Sequence, residues 1–412
     1  MGINKSKLAL FGYGKTTKAI ADYLGNECIF FDDNINEVQK DKLNNTIYPS
    51  SAFQAHNFEI EVTTPSLPPK HPLIQKANNL FSEYDFFLSK ESPLVEGEIP
   101  FSIWISGTNG KTTTTQMLTY LLEEKGAVSG GNIGTPLAKL DKNAPIWVLE
   151  SSSFTLHHTK YAKPNVYLLL PITPDHLNWH GSKEAYEADK LKPLTLMEEG
   201  ELALIPKGLK VPKTDAWVVE YENVEDVAKF FDIESSKIKF KGAFLLDSIL
   251  ALAIQKALFE EADYDKINSF QLDAHRQEEI IDSKGRVWIN DSKATNVDAA
   301  FQAIKAFSDK KIHLILGGDD KGVDLNEFFR AIKDFNLIIY AIGSNTQKLM
   351  DLSKQYNISS KECHTLKSAL EAIDKNLQKD EYALLSPAAA SLDQFDSYAH
   401  RGDSFKNFVK SL

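Results

Sequence analysis

Residues Ile105 to Leu118 read ISGTNGKTTTTQML. Gly110-Lys111-Thr112 is how a phosphate-binding loop ends, although the common pattern G-x-x-x-x-G-K-[ST] has a glycine where Ile105 stands. The parts of a phosphate cradle are present. Gly107 and Gly110 let backbone N–H groups turn inward, and the helix that follows aims its positive end at an anion. Lys111 has the reach for β and γ phosphates, and the Thr112 hydroxyl can ligate Mg2+. A hard cation needs more oxygen ligands. WVLESSSF supplies Glu150 at the end of an apolar run. In LLLPITPDHLNWHGSKEAYEADKLKP, Asp175 and His176 follow a buried-type strand and belong at the mouth of a sheet. His180 reads as structural. Lys190, beside Ala188 and Leu191 in a helical stretch, reads by residue type alone as a solvated lysine.

Further clusters lie towards the C-terminus. In DAHRQE, Arg276 suits a phosphate or a carboxylate. In NDSKATN, Asp291 can accept from ribose hydroxyls, and Lys293 and the later Lys321 can neutralise anions. These cations predict that an anionic substrate enters from this part of the chain. Near the N-terminus, KLALFGYGKTTKAIADYL and then CIFFDD spell strand, tight turn, helix and strand, with Asp32 and Asp33 placed for a ribose hydroxyl. Thr17 takes the third glycine position of G-x-G-x-x-G, and the pattern equally fits a strand-to-helix turn of any α/β domain. TTPSLPPKHP, residues 63–72, reads as a loop that could cover a ligand.

The elements that must position these residues fall into three α/β segments, 1–97, 98–271 and 272–412, with the first boundary near Gly97-Glu98-Ile99-Pro100. SIWIS, IWVLE, VYLLL and ELALI read as strands of the second segment. RVWIND, KIHLILGG, LIIYAIG and EYALLSP read as strands of the third. Alternating strands and helices imply doubly wound sheets, which hold ligands beyond the carboxyl ends of their strands. The helix after the phosphate loop places Met117, Leu118, Leu121 and Leu122 on one face and stops at Gly126.

The bulk numbers bound the function. The chain has 412 residues, 42% of them hydrophobic and 25% charged, which is globular composition. A net charge of −11 argues against nucleic acid or an anionic membrane as the main partner. Cys28 and Cys363 are the only cysteines, too few for a disulfide framework or a thiolate zinc site. No signal-peptide pattern and no run of about 18 apolar residues is seen, so the cytosol is the expected compartment, without membrane insertion.

GTNGKTTT, GGNIGTPL, LESSSF, ITPDHLNWHGSKEAY, DAHRQE, NDSKATN, LGGDDKG and LLSPAAASLDQFDSYAHRG occur in this order. Together they resemble the Mur ligases of peptidoglycan synthesis, over essentially the whole chain. The middle motifs are shared with folylpolyglutamate synthases. NDSKATN and SPAAASLDQF point to the branch that adds D-glutamate, and no Asp-Asn-Pro-Arg-type motif for a diamino acid is present.

The resemblance implies three domains: a Rossmann-like UDP-binding domain, a central P-loop ATPase-type domain and a C-terminal Rossmann-like domain for the amino acid. It implies that ATP phosphorylates the alanine carboxylate of UDP-N-acetylmuramoyl-L-alanine, and that the D-glutamate amine then displaces phosphate through a tetrahedral intermediate. Thr108, Asn109, Gly110, Lys111, Thr112, Thr113 and Thr114 would cradle ATP, with Arg276 and Asp291 on the ATP side. Thr112, Glu150 and His176 would bear on Mg2+ ions, expected to be two. Lys190 matches the lysine that the family carbamylates with CO2, which makes it a metal ligand and reverses the reading from residue type. Lys111, His176 and Lys190 would be catalytic. Tyr13, Gly14, Lys15, Thr16, Asp32, Asp33, Pro65, Ser66 and Leu67 would hold UDP, and Asn132 and Ser152 the muramoyl-alanine arm. Thr295, Lys321, Ser391, Leu392 and Tyr398 would surround D-glutamate.

Three departures stand out. Gly242-Ala243-Phe244-Leu245-Leu246-Asp247-Ser248 replaces Gly-x-His-Asn-x-x-Asn, Thr64-Pro65-Ser66 replaces a Pro-Gly, and Tyr398 replaces a phenylalanine. The chain is expected to act as a monomer. The alternatives are a folylpolyglutamate synthase or a nucleotide-regulated binding module; no hydride-transfer constellation supports a dehydrogenase.

Overall fold

The computed structural model describes residues 4–94 and 99–412. The expected boundary at 97/98 lies outside the described residues. Three six-stranded sheets follow one another along the chain. The first has the order β3-β4-β2-β1-β5-β6, from β1 (Leu8–Phe11), β2 (Ile29–Asp32), β3 (Gln39–Lys40), β4 (Thr46–Pro49), β5 (Ile60–Thr63) and β6 (Leu80–Phe81). The second has the order β12-β11-β10-β7-β9-β8, from β7 (Phe101–Ser106), β8 (Ala127–Gly131), β9 (Ile146–Glu150), β10 (Val166–Leu169), β11 (Leu202–Pro206) and β12 (Trp217–Tyr221). The third has the order β13-β14-β18-β15-β16-β17, from β13 (Glu278–Ile281), β14 (Val287–Asn290), β15 (Ile312–Gly317), β16 (Leu337–Ile342), β17 (Ser360–His364) and β18 (Tyr382–Leu385). Among the described strands, the β3–β4 and β13–β14 pairings are antiparallel and the rest parallel.

The outer β12 and β17 carry exposed polar residues, whereas the central parallel strands β1, β10 and β18 are buried and mainly apolar along their whole length, as expected where helices cover both faces. β15 shows this at period two. Ile312, Leu314 and Leu316 enter one core and Ile315 the opposite one.

The molecule forms two compact units. One comprises Met1–Ile238 and Asp247–Asn268, with the first two sheets; the other comprises Lys239–Leu246 and Ser269–Leu412, with the third. Within the first unit, Asp85 ties the helix Glu83–Leu88 to the second sheet's loops. Its carboxylate accepts the backbone N–H groups of Lys160, Tyr161 and Ala162 at 2.8–3.1 Å. A buried carboxylate so satisfied stabilises the contact without an unpaired charge.

The helix Gly242–Phe259 is long and apolar enough to cross a membrane by length and composition. Asp247 and Lys256 interrupt its apolar run, and 56% of it is buried inside the structure.

Candidate functional site

The turn after β7 starts at Gly107. Ile105, where a longer loop would have its first glycine, is instead a fully buried strand residue paired with Glu150. Gly107 has φ +144°, and a Cβ there would lie 2.5 Å from the Leu170 Cβ. Gly110 caps the helix Lys111–Leu122 in the left-handed region at φ +81°, with Asp247 Oδ1 2.7 Å from where a Cβ would sit. Both positions therefore require glycine. Lys111 Nζ donates to the carbonyls of Gly107 (3.0 Å) and Thr108 (2.7 Å), and so lies over the loop. The Thr108 hydroxyl donates to the Thr173 carbonyl at 2.9 Å and lies 3.0 Å from the Tyr186 hydroxyl. Thr112 is partly exposed, whereas Thr113 and Thr114 are buried, the latter donating to the Gly110 carbonyl. Contact of those two with a nucleotide would have to use the backbone.

Glu150, Lys190 and His176 belong to the same sheet-and-helix layer as this loop, and Lys190 touches it. Glu150 ends β9, buried; its Oε1 accepts from Asn132 Nδ2 at 2.6 Å, and its Oε2 has no hydrogen-bond partner. A buried carboxylate oxygen without a donor is costly unless a cation completes it. Lys190 is 1% exposed, which corrects the solvated-lysine reading from residue type. Its Nζ donates to the Gly107 carbonyl at 2.7 Å and to Ser106 Oγ at 3.3 Å. Burial, and then the charge of Lys111, hold its amine well below the ordinary lysine range. His176 is in the left-handed region at φ 52°, half exposed, with its ring 4.8 Å from Phe154 and Nε2 3.4 Å from Asp175. His180, read as structural, has a fully buried side chain between Asp189 and Ser153. Ser152 caps the helix Ser153–His158, accepting from the Thr155 N–H at 3.1 Å.

The first sheet opens on a cavity of about 280 Å3 lined by Tyr13, Gly14, Asp32, Asp33, Ser66 and Leu67, among others. Asp32 Oδ2 accepts the Tyr13 N–H at 2.6 Å and Oδ1 the Asn34 N–H at 2.9 Å, so this acid organises the turn itself. Thr17 supplies what the missing glycine would not. Its hydroxyl donates to the Gly12 carbonyl and accepts the Gly14 N–H, bracing the turn. Asp33 faces His71 Nε2 at 2.8 Å, and the neighbouring Ser50 hydroxyl, with His71, holds its carboxyl below the usual range. Lys15, Thr16, Pro65 and Asn132 line a second cavity of about 160 Å3, and Lys15 Nζ donates to the Gly134 carbonyl.

Sequence reasoning missed Glu83, in the second cavity, and His158, which holds a residue lining the first. Glu83 lines the second, its carboxyl pushed up to about 7 by burial. His158 Nε2 holds the Leu67 carbonyl at 2.9 Å. Neither stands in a recognisable local pattern; only the fold brings them there.

In the second unit, Asp291 is buried, accepting from the Ser386 hydroxyl at 2.8 Å and the Gln277 N–H at 3.3 Å. Burial pushes its carboxyl up to about 7. Arg276 Nε is buried without a hydrogen-bond partner. Arg401, which sequence reasoning also missed, is buried and donates to Ser292 Oγ and to the carbonyls of Ser292, Ala389 and Ala390. It thereby locks NDSKATN to SPAAAS. Lys293 Nζ lies 5.7 Å from the centre of the Tyr398 ring. Thr295, Lys321 and Leu392 are exposed, Tyr398 is partly exposed and Ser391 is buried.

Residues 105–243 match the family described as "Mur ligase middle domain", and residues 275–389 match "Mur ligase, glutamate ligase domain". A protein of Campylobacter jejuni named UDP-N-acetylmuramoylalanine–D-glutamate ligase is 50% identical over 98% of this chain and 100% of its own length. The chain belongs to the Mur ligase family. A second relative of this Mur ligase, from Helicobacter pylori strain J99 and of the same name, is 44% identical over 98% of the chain and 99% of its own. The fold agrees. The crystal structure of Thermotoga maritima MurF ligase in complex with ADP superposes with a TM-score of 0.56 at 16% identity, covering 85% of this chain and 94% of that one. The three sheets thus correspond to the three-domain architecture of Mur ligases.

Proposed function

We propose that this Mur ligase joins D-glutamate to UDP-N-acetylmuramoyl-L-alanine, cleaving ATP to ADP and phosphate. The observation that carries the chemistry is the buried Lys190 amine on the Gly107 carbonyl, with the half-satisfied Glu150 carboxylate in the same phosphate-loop domain. A carboxylate is a poor electrophile until one oxygen becomes a leaving group. The alanine carboxylate oxygen attacks the γ-phosphorus, ADP departs, and an acyl phosphate results. The D-glutamate nitrogen then attacks the carbonyl carbon, loses a proton, and phosphate leaves with the bridging oxygen.

The chain's own groups fit these needs. Backbone N–H groups at 108–112 and Lys111 bind the β and γ phosphates. Thr112, Glu150 and His176 are the proposed Mg2+ ligands, and the orphan Glu150 Oε2 is the observation that fits a cation. Mg2+ bound there supplies positive charge against the converging phosphates and carboxylate. Lys190 fits a carbamate, because only a neutral amine adds CO2 and its burial favours the neutral form. Asn132 orients Glu150, and with Ser152, Lys15, Thr16 and Pro65 it is proposed to hold the muramoyl-alanine arm. Tyr13, Gly14, Asp32, Asp33, Ser66 and Leu67 are proposed to hold UDP in the larger cavity. Arg276 and Asp291 are proposed for ATP, and Thr295, Lys321, Ser391, Leu392 and Tyr398 for D-glutamate. Action as a monomer in the cytosol, where ATP is supplied, belongs to the same reading.

The test is phosphate release with purified protein, ATP and Mg2+. Release is expected only when UDP-N-acetylmuramoyl-L-alanine and D-glutamate are both present. Release with L-lysine or diaminopimelate in place of D-glutamate would overturn the substrate assignment.

A further inference from the structure

Three metal-capable side chains converge from three helices beside the site just described. His157 lies in the helix Ser153–His158, His180 ends the helix Leu177–His180, and Asp189 lies in the helix Lys183–Leu191. His157 Nδ1 is 2.9 Å from each Asp189 oxygen, and His180 Nδ1 is 2.8 Å from Asp189 Oδ2. One donor atom from each residue lies within 4.8 Å of the other two. The side chain of His180 is fully shielded, whereas that of His157 is 32% exposed, so the cluster has one side open to solvent.

We propose that His157, His180 and Asp189 form a binding site for a zinc-class divalent ion, separate from the Mg2+ ligands. Two imidazole nitrogens and one carboxylate oxygen suit zinc, whereas Mg2+ prefers sets made mainly of oxygen. Zinc takes nitrogen and oxygen at about 2.0–2.2 Å in a tetrahedron, which sets donor atoms roughly 3.3 Å apart. The two histidine–carboxylate separations of 2.8–2.9 Å need to widen by a few tenths of an ångström, and the two histidine donors, within 4.8 Å of each other, have to settle at the same spacing, which side-chain rotation can supply. The solvent-facing side leaves the fourth position to water.

The surroundings support the role. His180 Nε2 lies 3.0 Å from Ser153 Oγ. A hydroxyl either donates or accepts, so His180 can carry its proton on Nε2 and present a bare Nδ1 to the metal. Phe154 stacks on the His180 ring at 5.5 Å and Trp179 packs against His157 at 5.1 Å, which fixes both rings. Asp189 immediately precedes Lys190, so an ion here ties three helices around that lysine. The inference does not rest on the ligase reading.

The test uses the full chain, stripped with chelator, and titrates Zn2+ by calorimetry and Co2+ by visible absorption. The wild type is expected to bind one Zn2+ equivalent at this cluster and to show the d–d bands of tetrahedral Co2+. His157→Gln and Asp189→Asn should weaken that equivalent about tenfold or more, and His176→Ala should retain it. Thermal melts establish that each variant folds; His157→Gln, at a part-exposed position, decides the matter if Asp189→Asn does not. No bound equivalent in the wild type, or unchanged affinity in His157→Gln, would overturn the proposal and leave the cluster a hydrogen-bonded clamp.

Discussion

Lys190 Nζ donates to the Gly107 carbonyl across 2.7 Å, joining the helix Lys183–Leu191 to the first residue of the phosphate loop. The contact takes a long cationic side chain out of water and places its amine beside Lys111. Both effects favour the neutral amine. Removal of the side chain should therefore cripple turnover, by on the order of 10²–10³-fold if its role is electrostatic. Assays of Lys190→Ala with added bicarbonate or acetate should recover part of the rate. Full activity of Lys190→Ala without additives would refute a catalytic Lys190.

The same burial makes a stability prediction. The folded-state pKa of Lys190 is lowered, so between that value and the unfolded value near 10.5 the unfolded chain binds more protons. Wild-type stability should fall as pH drops through this window. In CO2-free buffer, Lys190→Met should lose less stability than wild type over the same range, measured by denaturant melts.

Asp291 predicts the opposite trend. Burial raises its folded pKa to about 7 from the ordinary 3.8 of an aspartate. Between these values the folded state binds the extra proton, so the stability that Asp291 contributes is lost as pH rises through 7. Asp291→Asn should gain on wild type by on the order of 2–4 kcal/mol at pH 8, and the difference should shrink towards pH 4.

Glu150 and Asn132 should govern the Mg2+ requirement. Glu150→Gln replaces the oxygen that lacks a donor with a group that cannot neutralise a cation. Asn132→Ala removes the hydrogen bond that aims the carboxylate. The Mg2+ concentration for half-maximal phosphate release should rise by about 10–100-fold in Asn132→Ala, and at least as far in Glu150→Gln.

Gly107→Ala should damage the loop itself. The new Cβ would meet Leu170 Cβ at 2.5 Å, and the φ of +144° is strained for alanine. A loss of roughly 1–3 kcal/mol and weakened ATP binding are expected, read from melting and nucleotide titration.

How much of this was legible in the sequence differs residue by residue. The geometry of the 107–112 loop was, because Gly107 and Gly110 encode its positive-φ turns locally, just before the helix that begins at Lys111. Four strands in each of the second and third sheets were legible too, since burial makes them apolar runs, whereas β8, β12, β13 and β17, more polar or more exposed, were not. Lys190 was not legible from residue type, because its burial comes from a carbonyl 83 residues away. Asp32 shows the converse limit. Its spacing marks a ribose acid, yet both oxygens also accept backbone N–H groups of neighbouring turns. Glu83 and His158 lie in no motif, and Arg401, inside the last of the quoted motifs, carries no role that its local pattern shows; only tertiary packing brings them to their sites.

The central claim is that the γ-phosphate passes to the substrate carboxylate before the amide forms. Substrate labelled with ¹⁸O in the alanine carboxylate tests this directly by mass analysis of the released phosphate. One ¹⁸O per phosphate is the predicted result. Unlabelled phosphate, with the ¹⁸O expelled on amide formation found in water instead, would contradict it.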